Sequence, residues 1–165
     1  MQTLTPPLIA EVEQEASSTR RVLERVPEDM MSWKPHPRSM SLGQLARHIA
    51  VIPGALAEFF DAPQREVPTV PLPEARSRAE LLGLLDESVA AATRTLGRWG
   101  DAELADPFIM TLNSAVIYQA PRMDAVRAIM FNHLYHHRGQ LVLYLRLLGV
   151  PVPGVYGPSA DEKQN

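Results

Sequence analysis

The sequence contains no cysteine among its 165 residues. This absence excludes disulfides, thiolate metal ligands and a cysteine nucleophile, and it is typical of proteins from a reducing compartment. A protein without its own thiol can take part in thiol chemistry only when the thiol comes from outside.

The chain also lacks an excess of positive charge and any long hydrophobic run. Its formal net charge is −3 and its pI is about 5.9, so nucleic acid is excluded as the main partner. No apolar stretch approaches the roughly 20 residues that cross a bilayer. The first residues, MQTLTPPLIAEVEQE, have neither the basic start nor the apolar run of a secretory signal. We therefore expect a cytoplasmic protein with no membrane or nucleic-acid partner.

Several familiar catalytic motifs are missing as well. The sequence has no phosphate-cradling glycine loop, no dinucleotide-binding fingerprint and no Ser-His-Asp order. An apolar content of 45% and a charged content of 21% are ordinary for a globular protein. The length suits one domain with a sizeable core, which we expect over residues 1–165.

Proline, by contrast, is plentiful: ten of the 15 prolines cluster at 27–37, 63–73 and 151–158, outside four long segments of helical periodicity. Ser41 is a candidate N-cap, S-R-A-E from Ser77 matches a capping box, and Gly149 followed by Val-Pro is a stop signal. Pro53 lies inside the second segment and should kink it. We predict helices over residues of about 6–26, 41–60, 77–99 and 121–148.

The segment between the third and fourth helices, PFIMTLNSAVIYQA, is rich in β-forming residues. It predicts an extended excursion with a small hairpin that turns at Asn113-Ser114. Four amphipathic helices predict an all-α fold, a four-helix bundle. Because the connections are long, the order of the helices need not be simple up-down-up-down.

Three of the five histidines fall close together in the fourth helix, within FNHLYHHRGQL at residues 131–141. At about 100° per residue, His133 and His137 fall inside the apolar row of this helix, whereas His136 falls at its margin. Two histidines four residues apart present their ring nitrogens to a common point, the geometry that divalent metals use in helical sites. His48 borders the buried face of the second helix, and a third imidazole would complete the site. The alternative is that the buried imidazoles have ordinary hydrogen-bond partners.

Four further residues are candidates for the surroundings of such a site. Gln140 lies close to the two histidines in angle around the same helix, so it could hydrogen-bond a ligand imidazole. Trp33 is expected to plug one end of the bundle, with a pocket wall as the alternative. Arg138 is expected to be solvated or ion-paired, with an anchor for an anionic thiol cofactor as the alternative. Tyr156 is expected to fold back over the bundle end, where packing explains it equally well.

Three stretches resemble the conserved blocks of the DinB-like superfamily. The first is W-K-P-x-x-x-S-M-S-L-G-Q-L-x-x-H-I, from Trp33 to Ile49. The second is H-L-x-x-H-R-G-Q-L, from His133 to Leu141, and the third is the tail G-V-P-V-P-G-V-Y-G-P-S, from Gly149 to Ser159. Together the three blocks are spread along the chain in the order found in that superfamily.

The resemblance implies a four-helix bundle with a long crossover between the second and third helices, usually as a homodimer. It also implies a divalent metal bound by three histidines, which fall residue by residue on His48, His133 and His137. Nickel or zinc is the metal in characterised relatives, and iron or manganese are further candidates. Members of the superfamily include thiol-dependent S-transferases and a mycothiol-dependent isomerase.

A metal held by three neutral imidazoles has a coordination position left for a water or a thiol, which would be the catalytic group. We therefore expect an enzyme of detoxification or stress response that transfers an external low-molecular-weight thiol to an electrophilic small molecule. The first alternative is a metal-dependent hydrolase. The second, from a different class, is a non-catalytic metal-binding helical dimer.

Overall fold

The computed structural model of the protein describes residues 3–69 and 72–162. The helices are α1 (Thr5–Leu23), α2 (Leu42–Phe59), α3 (Arg78–Leu96), α4 (Asp101–Ala105), α5 (Arg122–Ala125) and α6 (Asn132–Leu147). The strands are β1 (Gln64–Glu66), β2 (Pro107–Leu112) and β3 (Ala115–Pro121). In these ranges no helix is long and apolar enough to cross a membrane. The cytoplasmic location stays a prediction.

The predicted long helices are present, and their ends follow local chemistry. At the start of α2, the Ser41 hydroxyl accepts a hydrogen bond from the Gln44 N–H while the Gln44 side chain accepts one from the Ser41 N–H, which is a complete capping box. Ser77 caps α3 by accepting from the Glu80 N–H at 3.1 Å, but the Glu80 carboxylate accepts from the Arg76 N–H and not from that of Ser77, so only half of the predicted capping box forms. After α6, Gly149 adopts a φ of 72°, the left-handed conformation that commonly ends a helix.

The predicted all-α class is wrong, because a three-stranded mixed sheet accompanies the helices, in the order β1-β2-β3. The crossover between α2 and α3 contains β1, which pairs in parallel with β2 and aligns Gln64 with Ile109. All three side chains of β1 are exposed. Backbone hydrogen bonds hold β1 in the sheet, and its residues do not alternate between apolar and polar. The local sequence therefore does not indicate this strand.

The hairpin predicted between the third and fourth helices is confirmed. Strands β2 and β3 pair antiparallel, with Phe108 opposite Ala120. Asn113 and Ser114 connect them with φ values of 51° and 66°. Positive φ at both central residues matches the right-handed twist of the strands, as two-residue hairpin loops require.

Helices α2 and α3 approach closely at Gly54, which follows Pro53 within α2. The Gly54 N–H donates a hydrogen bond to the Ser88 hydroxyl of α3, at 2.8 Å. A Cβ atom added at Gly54 would lie only 2.7 Å from the Ser88 carbonyl oxygen and 2.9 Å from its Cα. The glycine is therefore needed for the helix contact and not for its backbone freedom.

We expect Gly54→Ala to lower the free energy of unfolding by about 1–3 kcal/mol, the usual cost of overpacking a tight contact. Chemical denaturation followed by circular dichroism measures this change. Gly83→Ala is the matched control, because a Cβ at Gly83 in α3 would meet nothing within 4 Å. The control should be neutral or stabilising by about 0.5–1 kcal/mol. Equal effects of the two changes would contradict the role given to Gly54.

The last helical stretch changes its pitch before it reaches the histidines. Residues Val126–Phe131 are π-helical, between α5 and α6. A π turn inserts one extra residue and rotates the following face by about 100°. The buried row of α6 accordingly consists of Leu134, Arg138, Leu141 and Leu145. The prediction that His133 and His137 lie inside this row is wrong. The rotation places the next residues, Leu134 and Arg138, in the buried row and leaves the two histidines half-buried beside it.

Candidate metal centre

Three histidine rings from two helices converge on one point. His48 comes from α2, and His133 and His137 come from successive turns of α6. The Nε2 atoms of His48 and His133 are 3.1 Å apart, and one ring nitrogen from each of the three histidines lies within 4.8 Å of the others. His136 is exposed and is not part of this cluster. The tertiary fold therefore brings together the three predicted histidines and leaves out the fourth.

Burial keeps these rings neutral near pH 7. It lowers the pKa of His48 to about 4, with a smaller contribution of the same sign from His137. Burial likewise lowers the pKa of His133 to about 4. The pKa of His137 is also lowered by burial, and its hydrogen bond with Gln140 opposes that effect. Neutral imidazoles have free lone pairs, which is the state in which histidine binds a metal.

Gln140 fixes the orientation of one of the rings. Its Oε1 atom lies 2.7 Å from Nδ1 of His137. An amide oxygen only accepts, so Nδ1 carries the proton and the Nε2 lone pair remains free. The contact expected from the spacing is therefore present. Supporting hydrogen bonds of this kind orient metal-binding histidines in proteins.

A cavity of about 340 Å³ adjoins the histidines. His48 and His133 contribute to one part of its wall, and α2 supplies further residues toward its C-terminal end, among them Val51, Ala55 and Phe59. Met110 of β2 completes the wall together with the crossover residues Val67, Pro68, Leu72 and Pro73. This cavity could not be predicted from the sequence, because its wall depends on the position of the unpredicted sheet.

The remaining predicted residues lie outside this cavity wall. Trp33 packs edge-on against Tyr144, with ring centroids 5.6 Å apart, in the larger of the two apolar clusters. Arg138 is only 1% exposed and forms an ion pair with Glu15 of α1 at 2.5 Å. The Tyr156 hydroxyl reaches the same ion pair and donates to Glu15 at 2.9 Å. Arg138 and Glu15 thus form a buried ion pair between α6 and α1, and the hydroxyl of the exposed Tyr156 ties the C-terminal tail to it.

The sequence matches the model of the DinB family over residues 1–165. The chain belongs to the DinB family. This DinB-family protein is also 27% identical, over 154 residues, to the uncharacterized protein YrdA of Bacillus subtilis (strain 168), and the match covers 90% of this chain and 85% of YrdA.

Solved structures share the fold of this DinB-family protein. A DinB-like protein from Bacillus cereus superposes with a TM-score of 0.70 at 23% identity, covering 94% of this chain and 99% of that one. The DinB-like protein YjoA from Bacillus subtilis gives a TM-score of 0.66 at 19% identity, covering 87% of this chain and 92% of its own. These similarities support the fold. The identity of the metal and the homodimeric state stay predictions.

The residues of the centre suit a divalent metal. Nitrogen ligands at about 2.0–2.1 Å from a tetrahedral zinc lie about 3.3 Å apart, close to the 3.1 Å between Nε2 of His48 and Nε2 of His133. Two neutral imidazole nitrogens that face each other can share only one proton, so a bound cation would satisfy both lone pairs. The three rings can therefore bind a metal ion, and zinc, nickel and iron all accept such a donor set.

Proposed function

We propose that this DinB-family protein is a metal-dependent enzyme that transfers a small external thiol to an electrophilic small molecule. The observation that carries the proposal is a triad of neutral, half-buried imidazoles, two of which, His48 and His133, line a cavity. Structural zinc sites are closed by four protein ligands, whereas catalytic sites have three and an open position. In residues 3–69 and 72–162, the histidine cluster includes no fourth histidine, aspartate or glutamate.

The transfer converts a thiol R–SH and an electrophile R′–X into the thioether R–S–R′ and HX. The C–S bond forms as the C–X bond breaks, and the thiol proton goes to solvent. A divalent metal held by His48, His133 and His137 would favour the ionised form of a thiol or a water at the open position. Gln140 holds the His137 ring in place, and the cavity wall keeps water away from the bound molecule.

A conjugation assay tests the proposal. Protein loaded with zinc or nickel is mixed with bacillithiol or mycothiol and 1-chloro-2,4-dinitrobenzene, and thioether formation is followed by absorbance. We expect turnover that needs the metal, is lost in His133→Ala and is retained in His136→Ala. Ester hydrolysis without thiol transfer would instead support the metal-dependent hydrolase. Full metal occupancy without either reaction would support the non-catalytic metal-binding dimer.

A further inference from the structure

The cavity beside the histidines is apolar over most of its wall, and one face of α2 explains why. Gln44 and His48 are followed on that face by Val51, Ala55 and Phe59, at helical spacing. The polar residues therefore lie at the N-terminal end of this face, and the apolar ones extend about 16 Å beyond His48 at 1.5 Å per residue. Met110 and the crossover residues continue the apolar surface on the opposite side.

The polar side chains of the wall, apart from the histidines, already have partners within the protein. Gln44 donates to the Leu72 carbonyl oxygen at 2.8 Å, and its amide oxygen accepts from the Ser41 N–H at 2.9 Å. The Arg47 guanidinium faces the Glu80 carboxylate, with Nε 3.9 Å from Oε1. Among the described residues of the wall, only His48 and His133 have ring nitrogens that face a possible metal.

We infer that this cavity binds the uncharged apolar body of the substrate, an aryl ring system or alkyl chain, with its reactive carbon at the histidine end. Arg47, the one cation among the described residues of the wall, is next to His48 in α2 at the histidine end. A carboxylate placed farther along the wall would therefore lose its water without gaining a cationic partner, which is a large penalty. Thiols that carry sugars and carboxylates face the same penalty. The cavity therefore fits the electrophile, and the inference rests on the proposed thiol transfer for the identity of that electrophile.

The volume sets the size of the bound group. A water occupies about 30 Å³ in the liquid, so 340 Å³ has room for roughly ten non-hydrogen atoms. This is the size of a two-ring aromatic group or a medium-length alkyl chain. It lies at the lower end of the range of about 300–1,000 Å³ found for small-molecule pockets.

Two matched naphthalene probes test the inference. Binding of uncharged 2-naphthol and of anionic 2-naphthoate is measured by isothermal titration calorimetry at pH 7, both on the protein as purified and after metal removal. We expect saturable binding of 2-naphthol in both samples. In the metal-free sample, 2-naphthoate should bind at least tenfold more weakly. Equal or tighter binding of 2-naphthoate in that sample, or no binding of 2-naphthol, would overturn the inference.

Filling the cavity should remove this binding. Ala55 is an exposed residue of the wall, so Ala55→Trp fills space without disturbing the core, and we expect at least a tenfold loss of 2-naphthol affinity. Val51→Phe, closer to His48, provides a second filling change. Ala10→Trp on the exposed side of α1 is the matched control and should bind like the wild type. If both filling variants bind 2-naphthol as the wild type does, the probe is not in this cavity and the inference fails.

The outcome separates this inference from the proposed function. Metal content and conjugation activity are measured on the same samples as probe binding. One outcome is that the wild type binds 2-naphthol saturably and Ala55→Trp does not, while the wild type contains no metal and shows no turnover. This outcome would support the apolar binding site and refute the proposed thiol transfer. Metal-dependent thiol transfer without any 2-naphthol binding would retain the proposed function and overturn the substrate class.

Discussion

Replacing His48, His133 or His137 by alanine is expected to remove bound metal from the purified protein, from near one equivalent to below a tenth. Each change leaves only two nitrogens of the triad, whose rings lie 4.5–4.9 Å apart between centroids. Elemental analysis after dialysis measures the metal content. Gln140→Ala should leave the metal bound but with an affinity lowered about 10–100-fold, as for other residues that orient metal-binding histidines.

His136→Ala is the matched control for this prediction. It lies on the same helix, and its ring centroid is only 4.9 Å from that of His137, yet the side chain is exposed and outside the triad. This variant should contain as much metal as the wild type. Added zinc or nickel should also raise the melting temperature of the wild type and of His136→Ala, since a ligand that binds only the folded state stabilises it. Wild-type metal content in the three variants of the triad, or a wild type that neither contains nor takes up metal, would refute the site.

Arg138→Met is expected to lower the free energy of unfolding by about 3–5 kcal/mol, because it leaves the Glu15 carboxylate buried without its cation. The two side chains are only 1% and 7% exposed. The guanidinium also donates to the Glu15 carbonyl and the Thr19 hydroxyl, each at 3.1 Å. For a chain of this length the loss corresponds to roughly 6–20 °C in melting temperature. Thermal and urea unfolding of metal-free protein measure it.

Two further variants show whether the lost stability comes from an unpaired buried charge. The double change Glu15→Met with Arg138→Met removes both charges, so it should regain most of the stability that the single change loses. Arg98→Met removes a partner of Asp61 from an exposed ion pair, in which the side chains are 57% and 40% exposed. That control should cost at most about 1 kcal/mol. A double variant no more stable than Arg138→Met would contradict the explanation.

Helical periodicity could have predicted one member of the buried Arg138–Glu15 ion pair from the sequence, but not the other. In α1 the buried residues Leu8, Val12, Glu15, Thr19 and Val22 follow one another at spacings of three and four. That spacing alone places Glu15 on the inner face and signals a buried carboxylate that needs a partner. Arg138 could not be assigned in the same way, because the π-helical Val126–Phe131 rotates the face of α6 relative to an uninterrupted helix.

Features that depend on neighbours along the chain could be predicted from the residues alone. Proline clusters and caps gave the long helices, and β-forming residues around Asn113-Ser114 gave the hairpin. A spacing of four residues on one helix singled out His133 and His137 as a pair of possible ligands. These features could be predicted because a helical pitch and a tight turn are set within a few residues.

The assembly of those elements into a sheet, a histidine centre and a cavity depends on long-range packing. The pairing of β1 with β2 joins residues 45 positions apart, Gln64 with Ile109, through backbone groups that every sequence offers. The 3.1 Å approach of His48 to His133 depends on where α2 lies against α6, 85 positions along the chain. The apolar cavity arises because β2 and the crossover cover one face of α2. Each of these features depends on the packing of distant segments, which no local pattern of residues specifies.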